Sequence, residues 1–189
     1  MPDLAAKFQQ RTNFLTEVSR LPADAHMVVG GIAMRYHEVP TQYRQYQVRL
    51  LRSDDLVQIA ELEQRVFPEP MSLRDLTRKY HQPGTRFLVV MDGPRIVAYF
   101  GFEVFLPYAH VLANVTHPDY RRQGLAAFVL SAAVPWAREL GAKAFLGEVR
   151  VSNTAQQAVL AGIGWKSVAY IPQGFGNGED AHIVMNVFD

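Results

Sequence analysis

Residues 124–140 constrain the fold more than any other stretch of the chain. Leu125, Phe128, Val129, Leu130, Val134 and Trp136 leave this segment apolar nearly all the way round, and a helix of that kind must be covered on more than one side. Gly141 is a natural C′ residue to end it. Pro135 inside it is expected to remove the hydrogen bond to Ser131 and to kink the helix. Strand patterns precede it at 110–116 and follow it at 144–151, so the helix reads as a crossover packed on a sheet. A chain of 189 residues, 49% hydrophobic, can bury about 70% of its unfolded surface, enough for one unstapled domain.

The remaining pattern fills out that layered architecture. Residues 48–51 read as a strand, and Ser53-Asp54-Asp55 as the cap of a helix carrying Leu56, Ile59, Ala60, Val66 and Phe67, with Glu63 the one polar break in its face. Ser72 caps a second helix running to Tyr80. Residues 87–91 and 95–106 form a hairpin across Asp92-Gly93. A short helix over 153–161 and strands at 165–171 and 181–188 complete the order β-α-α-β-β-β-α-β-α-β-β, an α/β (α+β) mixed sheet with antiparallel hairpins. Ahead of it, residues 1–47 read as an extension: a helix within 5–20, a strand over 26–39 broken by Gly30-Gly31, and a connector over 41–47.

Charge and composition exclude several kinds of protein. Nineteen Lys and Arg against eighteen Asp and Glu leave a formal charge of +1, which argues against a broad basic face for nucleic acid. Residues 1–47 hold five basic and four acidic side chains and residues 48–189 fourteen of each, so neither part is a charged tail. The absence of cysteine excludes disulfides, a thiol nucleophile and thiolate-bound zinc. Met1-Pro2-Asp3-Leu4 does not begin a signal peptide, and no apolar run approaches the roughly 18 residues that span a bilayer. A soluble, cytoplasmic protein with no membrane or nucleic-acid partner is expected. Six histidines (26, 37, 81, 110, 117 and 182) show no metal-ligand spacing, and no metal is expected.

The chemistry concentrates where the 110–116 strand enters the apolar helix, over Val115-Thr116-His117-Pro118-Asp119-Tyr120-Arg121-Arg122-Gln123-Gly124-Leu125-Ala126. Unpaired N–H groups at a helix start, with the helix dipole behind them, suit a pyrophosphate. Gly124 and Ala126 let a phosphate approach the backbone, and Arg121 and Arg122 add charge. The plain alternative is a strand-loop-helix junction with solvated arginines.

Arg121-x-x-Gly124-x-Ala126 resembles the acetyl-CoA loop of the GNAT N-acetyltransferases. The likeness continues through residues 146–153 (Leu-Gly-Glu-Val-Arg-Val-Ser-Asn) and Ala161-Gly162-Ile163-Gly164-Trp165, which are similar to the ribosomal-protein alanine acetyltransferase branch. Glu63-Gln64-Arg65, Phe67-Pro68 and Ser72 resemble that branch's first helices, and residues 178–185 its last strand. The resemblance spans about residues 48–189 and leaves 1–47 outside.

It implies a GNAT fold, with a mixed central sheet splayed into a cofactor cleft and flanking helices. It also implies acetyl-CoA as co-substrate and a primary amine as acceptor, whether a protein N-terminal or lysine amine or a small molecule. Asn114, Val115 and Thr116 take the place of backbone that pairs with pantetheine; Arg121, Arg122, Gln123, Gly124, Leu125, Ala126 and Ala127 surround the pyrophosphate. Asn153 matches a position near the thioester, and is equally a helix N-cap. Glu148 matches the proposed general base. Its alternative role is an ion pair with Arg150 or another arginine, since a lone interior carboxylate is costly. His110, bordering the cleft, is a second candidate base.

The sequence departs from the branch at Leu160, where a tyrosine normally serves as general acid; Tyr108, Tyr120 and Tyr170 are the substitutes to test. Met71 stands before Ser72 where an aromatic is expected. The Gly174, Gly176 and Gly178 loop reads as a flexible hairpin, and the resemblance places it beside the acceptor as a lid. Direct acetyl transfer is the expected activity. The alternative is a CoA-binding regulatory module with weakened catalysis, and residues 1–47 are candidates for docking a partner or a second copy.

Overall fold

The computed structural model describes residues 40–188. The expected helix within 5–20 and strand over 26–39, with His26 and His37, lie outside the described residues. Eight strands form one sheet: β1 (Gln42–Tyr43), β2 (Tyr46–Leu50), β3 (Thr85–Asp92), β4 (Arg95–Phe105), β5 (Tyr108–Thr116), β6 (Ala144–Arg150), β7 (Lys166–Ile171) and β8 (Ala181–Val187). Their spatial order is β1-β2-β3-β4-β5-β6-β8-β7. Every pair is antiparallel except β5 with β6. Between those two the chain crosses over through α3 (Leu125–Glu139), as a parallel pair requires.

Side chains alternate across the sheet, so β3 and β4 supply two cores at once. Leu88, Val90, Phe100 and Phe102 pack against α3 and against Leu160 of α4 (Thr154–Gly162). Phe87, Val89 and Tyr99 pack on the other face against α1 (Leu56–Val66) and α2 (Leu73–His81). The all-round apolar pattern of α3 is explained by this position: Leu125, Val129, Leu130, Ala133 and Trp136 are all buried. Trp136 and Phe145 each meet Phe102 edge-on, at ring-centroid distances of 5.6 and 5.2 Å, an arrangement favoured by the ring quadrupoles. The helix continues past Pro135 to Glu139.

Two local expectations are corrected. Residues 41–47, expected as a connector, hold β1 and the start of β2. The buried-exposed alternation begins at Tyr46 rather than Val48, and Gln42 and Tyr43 pair with Gln47 and Tyr46. Nor does Ser53 cap α1. Ser53–Asp55 forms a 3-10 turn, because the buried Asp55 carboxylate is taken up by the Arg52 N–H at 2.7 Å and by Arg49 at 2.6 Å. Ser72 does cap α2, accepting from the Asp75 N–H at 3.1 Å.

The feature that positions the site is the short ladder between β5 and β6. Only Tyr108, Ala109 and His110 pair with Ala144, Phe145 and Leu146, although β5 runs on to Thr116 and β6 to Arg150. Each strand keeps its outer neighbour along that length, so the two part and a wedge opens. A bulge lies just beyond the last pair. Gly101 and Phe102 face Ala113 and Val111, leaving Leu112 as the extra residue of β5, and such an insertion bends and twists its strand. Gly101 permits this geometry on the facing strand, since a Cβ there would lie 2.4 Å from the Phe87 ring.

Candidate active site

The wedge has one wall of open backbone. Beyond His110, the β6-facing edge of β5 has no strand partner, so those N–H and C=O groups of residues 111–116 that point away from β4 are available to an extended ligand. Asn114 and Thr116 lie on the α3 side, where the Asn114 Nδ2 donates to the Ala126 carbonyl at 3.4 Å. Among the described residues, Asn114 Oδ1 and Thr116 Oγ1 are buried without a hydrogen-bond partner. A buried orphan of this kind costs about 1–3 kcal/mol. Val115 contributes backbone only, because its side chain is buried in the α1–α2 core.

At the end of β5 the chain turns through a 3-10 helix, Pro118–Tyr120, and then through residues 121–124 into α3. Arg121 and Arg122 are exposed. Two residues there are left-handed, Arg122 with φ 61° and Gly124 with φ 81°. Alternation of hand aims successive N–H groups into one concavity. The first helical bond runs from the Phe128 N–H to the Gly124 carbonyl at 2.9 Å. The N–H groups of Leu125, Ala126 and Ala127 therefore have no acceptor within the helix, and the dipole adds positive potential there. The buried Leu125 side chain fixes the helix start to the core. Open strand edge, concave amides and two arginines together suit an extended chain that ends in a diphosphate.

The structure thus brings Asn114 and residues 121–127 together. Asn153 lies just past the C-terminal end of β6, where its side chain caps α4 by accepting from the Gln156 N–H at 3.1 Å.

Glu148 lies in the diverging half of β6, with its side chain 26% exposed. The alternative partner, Arg150, is engaged with Glu69 and Glu179. Glu148 Oε2 instead lies 2.7 Å from His110 Nε2, joining the two strands at the point where they separate. A carboxylate on an imidazole fixes the ring's tautomer and orients both groups, as in established acid-base pairs.

Arg150, two residues further on, gathers the loops at the mouth. It meets Glu69 of the α1–α2 loop at 2.7 Å and Glu179 of the β7–β8 loop at 2.9 Å. It also donates to Asn177 Oδ1 at 3.0 Å, and its guanidinium sits 3.9 Å above the Phe175 ring centroid. Hydrogen bonds from Ser152 and from Arg150 hold the Glu179 carboxyl below its ordinary pKa. The glycine loop is correspondingly built: Phe175 N–H donates to the Glu179 carbonyl at 3.0 Å, and a Cβ on Gly176 would lie 2.7 Å from Glu69. On its other side the α1–α2 loop is held by Glu63, whose buried carboxylate accepts from the Met71 N–H at 2.8 Å and from the Tyr99 hydroxyl.

Leu160 is buried in the α3 core. Two tyrosines considered in its place have engaged hydroxyls. Tyr120 donates to Asp92 at 2.9 Å and Tyr170 donates to Asp180, and these bonds raise both hydroxyl pKa values. Among the described residues no group of three or more His, Asp or Glu could hold a metal ion, and no helix is long and apolar enough to cross a membrane.

Three features were missed in the sequence: the Tyr43 and Tyr46 contacts to Gln123, the His110–Glu148 pair, and the Arg150 hub. The first two had signals. Tyr46 and Val48 alternate as strand residues do, and His110 stands at the strand position where the wedge begins.

Comparison with known proteins now adds to this geometry. Residues 56–165 match the family described as Acetyltransferase (GNAT) family. A Bacillus subtilis protein provisionally named as a ribosomal protein bS18-alanine N-acetyltransferase is 28% identical over 147 residues, covering 72% of this chain and 92% of the relative. An N-alpha-acetyltransferase of Saccharolobus solfataricus is 27% identical over 154 residues, covering 75% and 92%. The crystal structure of the ribosomal-protein-S18-alanine N-acetyltransferase from Escherichia coli superposes with a TM-score of 0.68 at 23% identity, covering 75% of this chain and 93% of that one.

Proposed function

The chain belongs to the acetyltransferase (GNAT) family, and from that premise we propose how its wedge carries out the reaction and what it acetylates. The fold is the GNAT fold, and the activity is acetyl-CoA-dependent N-acetylation of an amine. Acetyl-CoA supplies an acetyl group activated as a thioester. In the transfer an N–C bond forms at the acceptor nitrogen, the C–S bond breaks, and the CoA thiolate departs.

The chain's own residues divide that work. The open edge of β5 from Val111 to Thr116 lines the pantetheine path. Arg121, Arg122 and the amides from Gln123 to Ala127 hold the phosphates. Glu148 accepts the proton that an ammonium must lose before its nitrogen can attack. His110, at 2.7 Å, orients the carboxylate and offers a path for that proton away from the cleft. Asn153 contributes as a cap of α4 at the rim. The single observation that carries this assignment is the His110–Glu148 pair standing where β5 and β6 separate.

The acceptor in this proposal is the α-amine of a protein N-terminus. Support comes from the two relatives named for N-terminal or alanine acetylation, and from a mouth walled by two loops rather than enclosed by one. Leu160 offers no proton donor, and the departing thiolate is a good enough leaving group for transfer to proceed without one.

The test is a Glu148→Gln variant assayed with acetyl-CoA and a peptide carrying a free N-terminal alanine. Loss of a general base is expected to lower kcat by about 10²–10⁴-fold, with acetyl-CoA binding unchanged by calorimetry. Full transfer by Glu148→Gln would overturn the assignment. Acetylation of lysine side chains but not of the N-terminus, read by mass spectrometry, would overturn the acceptor.

A further inference from the structure

Tyr43 and Tyr46 precede the stretch matched by the family, residues 56–165, yet both reach the phosphate loop. The β1–β2 hairpin lies against the start of α3. The Tyr46 hydroxyl donates to Gln123 Oε1 at 2.6 Å, and the Tyr43 hydroxyl to the Gln123 carbonyl at 3.4 Å. The Tyr43 ring stacks on Phe128, one turn into α3, with centroids 4.2 Å apart and planes at 21°. Tyr46 is 2% exposed, so its hydroxyl is set by the core rather than by solvent.

We infer that this hairpin is a brace that aims the loop's amides at the diphosphate, making Tyr43 and Tyr46 positioning residues for acetyl-CoA. The inference rests on the cofactor reading given above. Its physical core is the planarity of the peptide bond: in a trans peptide the carbonyl of one residue and the N–H of the next point in opposite directions. With the Gln123 carbonyl drawn toward Tyr43, the Gly124 N–H must face away from the hairpin. Tyr46 fixes the same residue by its side chain, so Gln123 cannot rotate to relax this arrangement.

The surroundings show why a brace is needed. Arg121, Arg122 and Gly124 are exposed, and only Gln123 of this turn is half-buried. Arg122 holds a left-handed φ of 61°, which a non-glycine residue adopts only when its neighbours impose it. Shape agrees with the bonding, because a Cβ on Gly124 would lie 2.7 Å from the Tyr43 hydroxyl. Hydroxyl and glycine therefore occupy complementary space.

The experiment is calorimetric titration of the full chain with acetyl-CoA, comparing wild type with Tyr43→Phe, Tyr46→Phe, the double variant and Gln123→Ala. Each hydroxyl removed is expected to raise Kd by about three- to fivefold and the pair by about tenfold, the scale of single hydrogen bonds. Thermal midpoints, recorded in parallel, are expected to move little. Because the tyrosines act through Gln123, adding Tyr46→Phe to Gln123→Ala should change Kd by less than about twofold, a non-additivity that a general loss of stability would not produce. Wild type and the double variant binding acetyl-CoA equally would overturn the brace alone, as would full additivity with Gln123→Ala. No binding by wild type would overturn the cofactor reading, and the brace with it.

Discussion

The two ends of the wedge are built from different materials. At the end proposed to hold the phosphates, conformation does most of the holding: two left-handed residues, a helix start and two tyrosine hydroxyls shape a turn whose arginines remain exposed. At the end proposed to receive the acceptor, charge does it: Arg150 ties Glu69 to Glu179 across two loops, with Phe175 beneath the guanidinium. The first arrangement keeps its cations uncommitted for an anionic ligand. The second commits one guanidinium to two carboxylates and leaves the mouth with an excess negative charge, which suits an acceptor that arrives as a cation and must lose a proton. Steric changes should therefore damage the phosphate end most, and changes in charge the acceptor end.

Of the changes that act on binding, the largest effect is expected from Gly124→Ala. At φ 81° the new Cβ is strained by about 1–2 kcal/mol, and it meets the Tyr43 hydroxyl at 2.7 Å. Relief requires either the loop or the hairpin to move, and either motion turns the amides. Acetyl-CoA affinity should fall by about 10–100-fold, while the acceptor KM at saturating acetyl-CoA stays within about twofold. A comparable rise in both constants would show that the two ends are not separable.

Arg150→Met comes next. The side chain retains bulk over Phe175 but leaves Glu69 and Glu179 facing each other without a cation. The loops should part, raising the acceptor KM by on the order of tenfold through lost positioning, with acetyl-CoA affinity nearly unchanged. Salt offers an independent check. At about 1 M the Debye length is about 3 Å, so wild type should lose acceptor affinity as salt rises while Arg150→Met, having no Arg150 pairs left to screen, loses less. Equal sensitivity in the two proteins would remove Arg150 from this role.

That division also explains what could be read without coordinates. Strands and helices from Val48 onward carry strong periodicity, and an all-round apolar helix between two strands implies the one parallel pair; the splay of that pair is implied by the family resemblance alone. Gly124 was legible because a phosphate turn demands a small residue. The left-handed Arg122 was not, since nothing in its side chain favours φ 61°; neighbouring elements impose it. Residues 41–47 were misread because their glutamines and arginine mask the Tyr46–Val48 alternation. Arg150 could be seen as charged, but its partners lie 81 and 29 residues away in sequence, and no local rule selects them over Glu148. Long-range charge pairing is the part of this site that a linear pattern does not encode.

The smallest expected effect concerns pH, and it separates the ends once more. His117 opens the turn that leads into the phosphate loop, accepting from the Asp119 N–H at 3.2 Å, with Arg95 at 2.7 Å from Nε2. Burial, and then the Arg95 charge, lower its pKa below the ordinary value. The unfolded chain therefore takes up this proton before the folded one does. Stability contributed here is complete above about pH 6.5 and is lost as the pH falls through the depressed folded value. At the acceptor end Glu179 and Asp180 are also lowered, by bonds from Ser152 and Arg150 and from Tyr170 respectively, but their contribution persists until the pH falls below the ordinary carboxylate range near 4. Thermal midpoints measured between about pH 8 and 3 should thus decline in two steps. His117→Asn, which replaces the capping Nδ1 with an amide oxygen but cannot titrate, should flatten the upper step and leave the lower one. If the upper step survives in His117→Asn, the pH sensitivity of the phosphate end lies elsewhere.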